Sequence, residues 1–173
     1  MIGKKKKLLA VDVLLMAVLI AADQITKFFA VVNLKDLPPW VLWEGVFELQ
    51  YLENRGAAFG MLQGKKGFFI LTSVIVLVAI VYVLVKIPCQ KKYTKLHIIL
   101  VFIASGAVGN LIDRIRYDYV VDFLYFRLIH FPIFNVADIY VSVGTAVLAV
   151  LILFYYKDEE LKFLLDKWKG RKG

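Results

Sequence analysis

The chain has 173 residues, 61% of them hydrophobic and 21% charged, with a formal net charge of +8 and a mean hydropathy of +0.72. A soluble domain of this length has too little interior to hide so much apolar surface, and a solvated coil would carry far less of it. A lone cysteine, Cys89, excludes an internal disulfide framework, so the composition points to a single domain embedded in a membrane.

A helix needs about 20 apolar residues to cross about 30 Å of hydrocarbon. The first stretch, residues 8–32, is long enough although Asp12, Asp23 and Lys27 interrupt it. Lys4–Lys7 and the Ala21-Ala22 pair allow a signal-peptide reading. Asp12 breaks that core, however, and the apolar run continues to Val32, so a membrane span is expected. Phe68–Val85 and Leu96–Ile112 are uncharged, and Ile139–Tyr156 reaches back to Ile133 if Asp138 is tolerated. The expected spans are about 8–32, 67–86, 95–113 and 135–156, with outer loops 33–66 and 114–134 and a tail 157–173.

Four spans leave both termini on one side, and positive charge names that side. Segments 1–7, 86–95 and 157–173 hold 14 of the 22 basic residues and four acids, whereas 33–67 and 113–132 hold seven of each sign. Both termini are therefore expected in the cytoplasm. The excess charge reads as attraction to anionic lipid, not to nucleic acid, since no basic stripe interleaved with aromatics is present. Within the first outer loop, Val41–Leu52 alternates in places between apolar and polar, after Pro38-Pro39 and before Gly56. Short strands at the outer surface follow, with Trp40 and Trp43 as interfacial anchors, and the tail from Lys157 reads as a charged amphipathic helix. The expected fold is an all-α polytopic membrane protein of four transmembrane helices with a small extracytoplasmic β-rich cradle.

Ionisable residues at or inside the membrane are functional hypotheses by default, because placing them there is costly. Nearly all of them gather at the outer boundary: Asp23 and Lys27, then Asn54-Arg55-Gly56, then Asn110 to Arg114, then Asp122, then Asn135 to Asp138. Each has a plainer reading. Asp23 and Lys27, at i,i+4, can neutralise each other. Gly56 can serve a tight turn, Arg114 and Arg116 can anchor to headgroups, and Asn135 with Asp138 has the spacing of a helix cap. Together they suggest more, because Asp122 and Asp138 both fall at that boundary. Two facing carboxylates share one proton, so one can activate water while the other protonates a carbonyl oxygen. That chemistry needs no metal, nucleophilic side chain or cofactor. A zinc site lacks ligands, with His97 on the opposite side and His130 alone, and no serine or cysteine has an evident base.

The motifs resemble those of the bacterial lipoprotein signal peptidases, the signal peptidase II family. D-x-x-x-K, N-x-G-A-A-F, G-N-x-x-D-R, V-V-D-F and F-N-x-A-D occur here in that order. The resemblance implies a membrane aspartyl endopeptidase that removes the signal peptide from diacylglyceryl-modified prolipoproteins, cutting just before the lipidated cysteine at the outer face of the cytoplasmic membrane. It implies Asp122 and Asp138 as catalytic acids and Asn54, Gly56, Asn110, Arg114 and Asn135 as substrate-binding residues. Asp113 corresponds to a buried orienting residue, and Asp23 with Lys27 to a stabilising pair. Membrane lipids, the lipidated precursor and the cyclic peptide globomycin are the partners it implies, and a monomer suffices. Asp12 matches no motif. The competing reading is a small proton- or cation-coupled transporter subunit, against which stands the gathering of the acids at one boundary instead of mid-membrane.

Overall fold

The computed structural model describes residues 2–56 and 64–164. Four of its helices are long and apolar enough to cross a membrane: α1 (Ile2–Leu34), α2 (Lys66–Lys86), α3 (Thr94–Tyr117) and α4 (Val136–Val150), the last prolonged by a π-helical turn over Leu151–Tyr155. A run of apolar residues in hydrocarbon has no water to satisfy its backbone, and a helix satisfies it internally. The helix ends are written locally. Ile87, which precedes Pro88, takes an extended ψ of 129° and stops α2. Asp118, in the left-handed region at φ 67°, stops α3. Beyond α4 the tail forms a four-residue helix, α5 (Asp158–Leu161), and one 3-10 turn; the rest of the expected amphipathic helix lies outside the described residues.

α3 is the central helix, buried along most of its length, with α1, α2 and α4 packed around it. The outer three turn large apolar side chains away from the protein, among them Leu14, Leu153 and Phe154, as a lipid-facing surface requires. Contact between α3 and α4 is close because of glycine. A β-carbon on Gly106 would collide with the Ala137 carbonyl oxygen and the Val141 side chain, so the two backbones approach as small residues allow in membranes.

A small antiparallel sheet, ordered β1-β2-β3, closes one end of the bundle. β1 (Trp40–Trp43) and β2 (Phe47–Asn54) are the strands expected in the first outer loop, and all four residues of β1 are exposed, including both tryptophans. β3 (Val120–Phe126) is a finding, because its first four residues are all buried and give no alternation to read. It pairs Asn54 with Val120 and Leu52 with Asp122. Val121 and Phe123 pack on Ala30 and Leu34 at the end of α1, which seats the sheet on the bundle.

The opposite end holds Asp12, buried, with a carboxylate oxygen 2.8 Å from Nδ1 of the equally buried His97 on α3. Nearby, Lys5 Nζ donates to the carbonyls of Leu84 and Ile87 at 2.8 and 2.6 Å, satisfying the last turn of α2.

Gly106→Ala should separate α3 from α4 at a cost of about 1–3 kcal/mol, visible as a lower melting temperature in detergent. Gly67→Ala, with open space around the new methyl, should leave that temperature unchanged.

Candidate active site

The described residues of the five sequence motifs converge at the sheet end of the bundle. β3 carries Asp122, which is 1% exposed. The first turn of α4 carries Asp138, half-buried. Asn135 joins them. Its side chain donates to Asp122 at 2.6 Å and accepts from the Asp138 backbone N–H at 2.9 Å, while its own N–H donates to the Asp138 carboxylate at 3.1 Å. The helix-capping box and the joining of the two acids are therefore the same contacts. Position is set by the preceding residue: Phe134 exchanges backbone hydrogen bonds with Leu124 of β3, so the start of α4 is tied beside Asp122.

Asn54, on β2, donates to the other Asp122 oxygen at 2.7 Å, and its own side-chain oxygen accepts from the Gly56 N–H at 3.0 Å. Gly56 thus orients an amide; residues 57–60, which follow it, lie outside the described residues. Asn110 donates to Asp138 at 2.8 Å. Burial first, then the neighbouring charge of Asp138, raises the Asp122 carboxyl to about 7, against the lowering effect of the Asn54 and Asn135 amides. Asp122 can therefore hold a proton at neutral pH.

Lys27 lies beneath this pair, 3% exposed. Its ammonium meets Asp23 at 3.0 Å, Asp113 at 2.9 Å and the Asn110 side-chain oxygen at 2.9 Å, one acceptor for each of its three N–H bonds. The two carboxylates reach onward. Asp23 accepts the backbone N–H of Ala137 at 2.9 Å, and Asp113 accepts that of Val121 at 3.1 Å. Each therefore holds the residue immediately before one of the two candidate acids. Gln24, which the sequence reading passed over, donates to Asp113 at 3.0 Å and to Asp23 at 3.2 Å; its only sequence signal is its place beside Asp23. A β-carbon on Gly109 would strike the Asp23 carboxylate, so the glycine of G-N-x-x-D-R makes room for the triad.

A cleft of about 250 Å³ opens between α2, α3 and α4, with Asp138, Asn110 and Arg114 at its sheet end. Arg114 stacks over the Phe69 ring at 4.8 Å and pairs with no carboxylate among the described residues, so its donors remain available to a bound group. Asn135 is different: fully buried, its amide is used within the cluster. No group of three His, Cys, Asp or Glu side chains among the described residues is arranged to hold a metal ion.

The bundle and its polar end define a polytopic membrane protein with a buried acid cluster opening to a groove. Two solved structures described as bacterial membrane enzymes share this fold: one has a TM-score of 0.72 at 26% identity, covering 94% of this chain and 95% of that one. The other has a TM-score of 0.72 at 28% identity, covering 85% and 95%. The family model for signal peptidase (SPase) II matches residues 15–154. The lipoprotein signal peptidase of Caldanaerobacter subterraneus subsp. tengcongensis is 42% identical over 143 residues, 82% of this chain and 95% of that one. That of Clostridioides difficile is 41% identical, covering 83% and 95%, and that of Streptococcus thermophilus is 43% identical, covering 87% and 94%. The chain belongs to the signal peptidase II family, membrane peptidases that remove signal peptides from prolipoproteins.

Lys27→Met should strip two buried carboxylates of their counter-charge and cost about 3–5 kcal/mol of stability in detergent unfolding. Asp113→Glu keeps the charge but lengthens the arm that grips Val121. If Asp122 is a catalytic acid, this substitution should lower turnover at least about tenfold with little loss of stability, since displacing such a group by an ångström carries that scale of penalty.

Proposed function

We propose that this protein is an aspartic endopeptidase whose acids are Asp122 and Asp138, cutting diacylglyceryl-modified prolipoproteins just before the lipidated cysteine. The observation that carries the reading is Asn135, which hydrogen-bonds to both carboxylates and so fixes them about one water. Asp138, whose carboxylate caps the positive end of α4, is suited to be the base. Asp122, with its carboxyl raised to about 7, is suited to be the acid.

In the first step a water held between them attacks the scissile carbonyl carbon. Its proton passes to Asp138, and the proton of Asp122 passes to the carbonyl oxygen, giving a neutral gem-diol. The amides of Asn54 and Asn135 stabilise the Asp122 carboxylate that is left. In the second step the C–N bond breaks as Asp138 returns its proton to the leaving nitrogen and Asp122 recovers one from a hydroxyl. The products are the signal peptide's carboxylate and a lipidated cysteine with a free amine.

The distribution of basic residues supports both termini in the cytoplasm and the sheet end at the outer face of the cytoplasmic membrane. The signal helix docks sideways from the bilayer into the cleft, where Asn110 and Arg114 meet the peptide while the acyl chains stay in lipid. A single copy contains every group the chemistry requires, and a cyclic peptide such as globomycin inhibits by filling the same cleft.

Asp122→Asn and Asp138→Asn should each lower cleavage of a diacylglyceryl-modified prolipoprotein at least about a hundredfold while retaining the fold, read by gel shift in detergent. Near-normal turnover in Asp138→Asn would show the pair to be wrongly assigned. Turnover should trace a bell against pH. Its alkaline limb lies near 7, because activity needs Asp122 protonated and falls as that proton leaves; its acid limb marks protonation of the partner.

A further inference from the structure

The cleft continues past Asp138 between the helices. Along α3 its lining runs from Arg114 to Ile103, eleven residues or about 16 Å of helix. About five residues of extended chain cover that distance. Three hydroxyl residues line this part, Thr72 and Ser73 on α2 and Ser142 on α4, with Ala107 of α3 also in the lining. Ser142 lies one turn beyond Asp138 on the same helical face, so the hydroxyl and the carboxylate border one groove.

A serine or threonine in an apolar helix commonly returns its hydroxyl proton to a carbonyl one turn back. Ser105 does so to Val101 at 2.7 Å, and Thr72, beside Ser73 in the cleft, does so to Phe68 at 3.0 Å. Ser73 and Ser142 make no hydrogen bond to any described residue; Thr145 shares that state but lies off the cleft. Both cleft serines thus keep a donor and two acceptor lone pairs.

A peptide bond is open to attack by water only where the chain is unwound. Every residue of such a stretch has lost its helical hydrogen bonds, and hydrocarbon supplies no replacement, so each unmet group costs free energy. The polar groups at the sheet end serve the scissile bond itself. Deeper in the cleft the hydroxyl donors not already used by a described residue are those of Ser73 and Ser142, since Thr72 gives its own to the Phe68 carbonyl. Resting on the reading of the cleft as the peptide site and of Asp122 and Asp138 as its acids, we infer that Ser73 and Ser142 hold the main chain of the unwound segment preceding the scissile bond, one hydroxyl from each wall. They are binding residues, touching the substrate's backbone without taking part in proton transfer.

The test measures KM and kcat for a diacylglyceryl-modified prolipoprotein, together with its affinity for enzyme carrying Asp122→Asn. Ser73→Ala and Ser142→Ala should each raise KM about fivefold, the value of one neutral hydrogen bond. The pair together should raise KM about 25-fold, with kcat within twofold and an unchanged melting temperature. Binding to the Asp122→Asn enzyme should weaken by the same factors. Ser142→Thr, which keeps the hydroxyl, should bind within about twofold of wild type, whereas Ser142→Val, its isostere, should match the alanine variant. Unchanged KM in the double alanine variant, a fall confined to kcat, or equal behaviour of threonine and valine at 142 would each overturn the inference. Cleavage that survives Asp122→Asn and Asp138→Asn would instead defeat the acid pair, so failure of the two readings is told apart.

Discussion

The structure turns on one buried ammonium. Lys27 lies inside a membrane protein with no water to solvate it, and three acceptors from two helices take up all three of its N–H bonds. Removing a charge from water is costly, and a buried pair rarely adds stability relative to apolar residues of the same shape. Here the arrangement does something apolar residues could not. Besides the Gln24 amide, Asp23 and Asp113 each accept a backbone N–H, that of Ala137 and that of Val121, and those residues adjoin Asp138 and Asp122. Lys27 therefore fixes the spacing of a helix start against a strand, two elements separated in sequence by the loop that follows β3. A buried ionic cluster of this kind is an instrument of position, not of net stability.

The same logic accounts for the sheet. The role proposed for Asp122 needs a carboxyl that holds a proton near neutral pH; that takes burial, and at the end of a helical bundle there is little protein to bury it. β3 supplies the cover. Its first four residues are all buried, and its neighbour β2 brings Asn54 to the second oxygen of Asp122. One acid is thus enclosed by strands while the other lines the cleft at the start of α4. Two identical side chains receive different surroundings, and different surroundings are what divide an acid from a base.

Much of this was legible in the sequence, and the parts that were not share a cause. The four spans and the first two strands follow from local pattern, hydropathy for the spans and alternation for the strands. The Asn135–Asp138 cap and the Asp23–Lys27 pair are contacts at three and four residues, within reach of spacing rules. β3 escaped because a strand buried on both faces has no period of two. The second and third partners of Lys27 escaped because Asp113 and Asn110 are more than 80 residues away, and an acid four residues earlier already gave the lysine a sufficient explanation. Asp12 had no motif because its partner, His97, lies 85 residues on and one helix over.

Asp12 and Lys27 also explain which helices are free to part. α1 is pinned to α3 by buried polar contacts at two levels, Asp12 to His97 and Lys27 to Asp113, fifteen residues or about 22 Å apart along α1. α4 is held to α3 by the close approach at Gly106 and by the grip of Asp23 on Ala137. The polar contacts described between α2 side chains and other elements lie at its two ends, the exposed Lys66–Asp118 pair and the Lys86 bond to the Leu164 carbonyl. α2 meets the bundle through apolar contacts, through Lys5 at its far end, and through the Arg114 guanidinium stacked on Phe69 near its start. On the proposed reading, a helical substrate arriving from the bilayer has to displace something to reach the buried acids. No buried ion pair is described between α2 and α4, and that is the flank where the cleft opens.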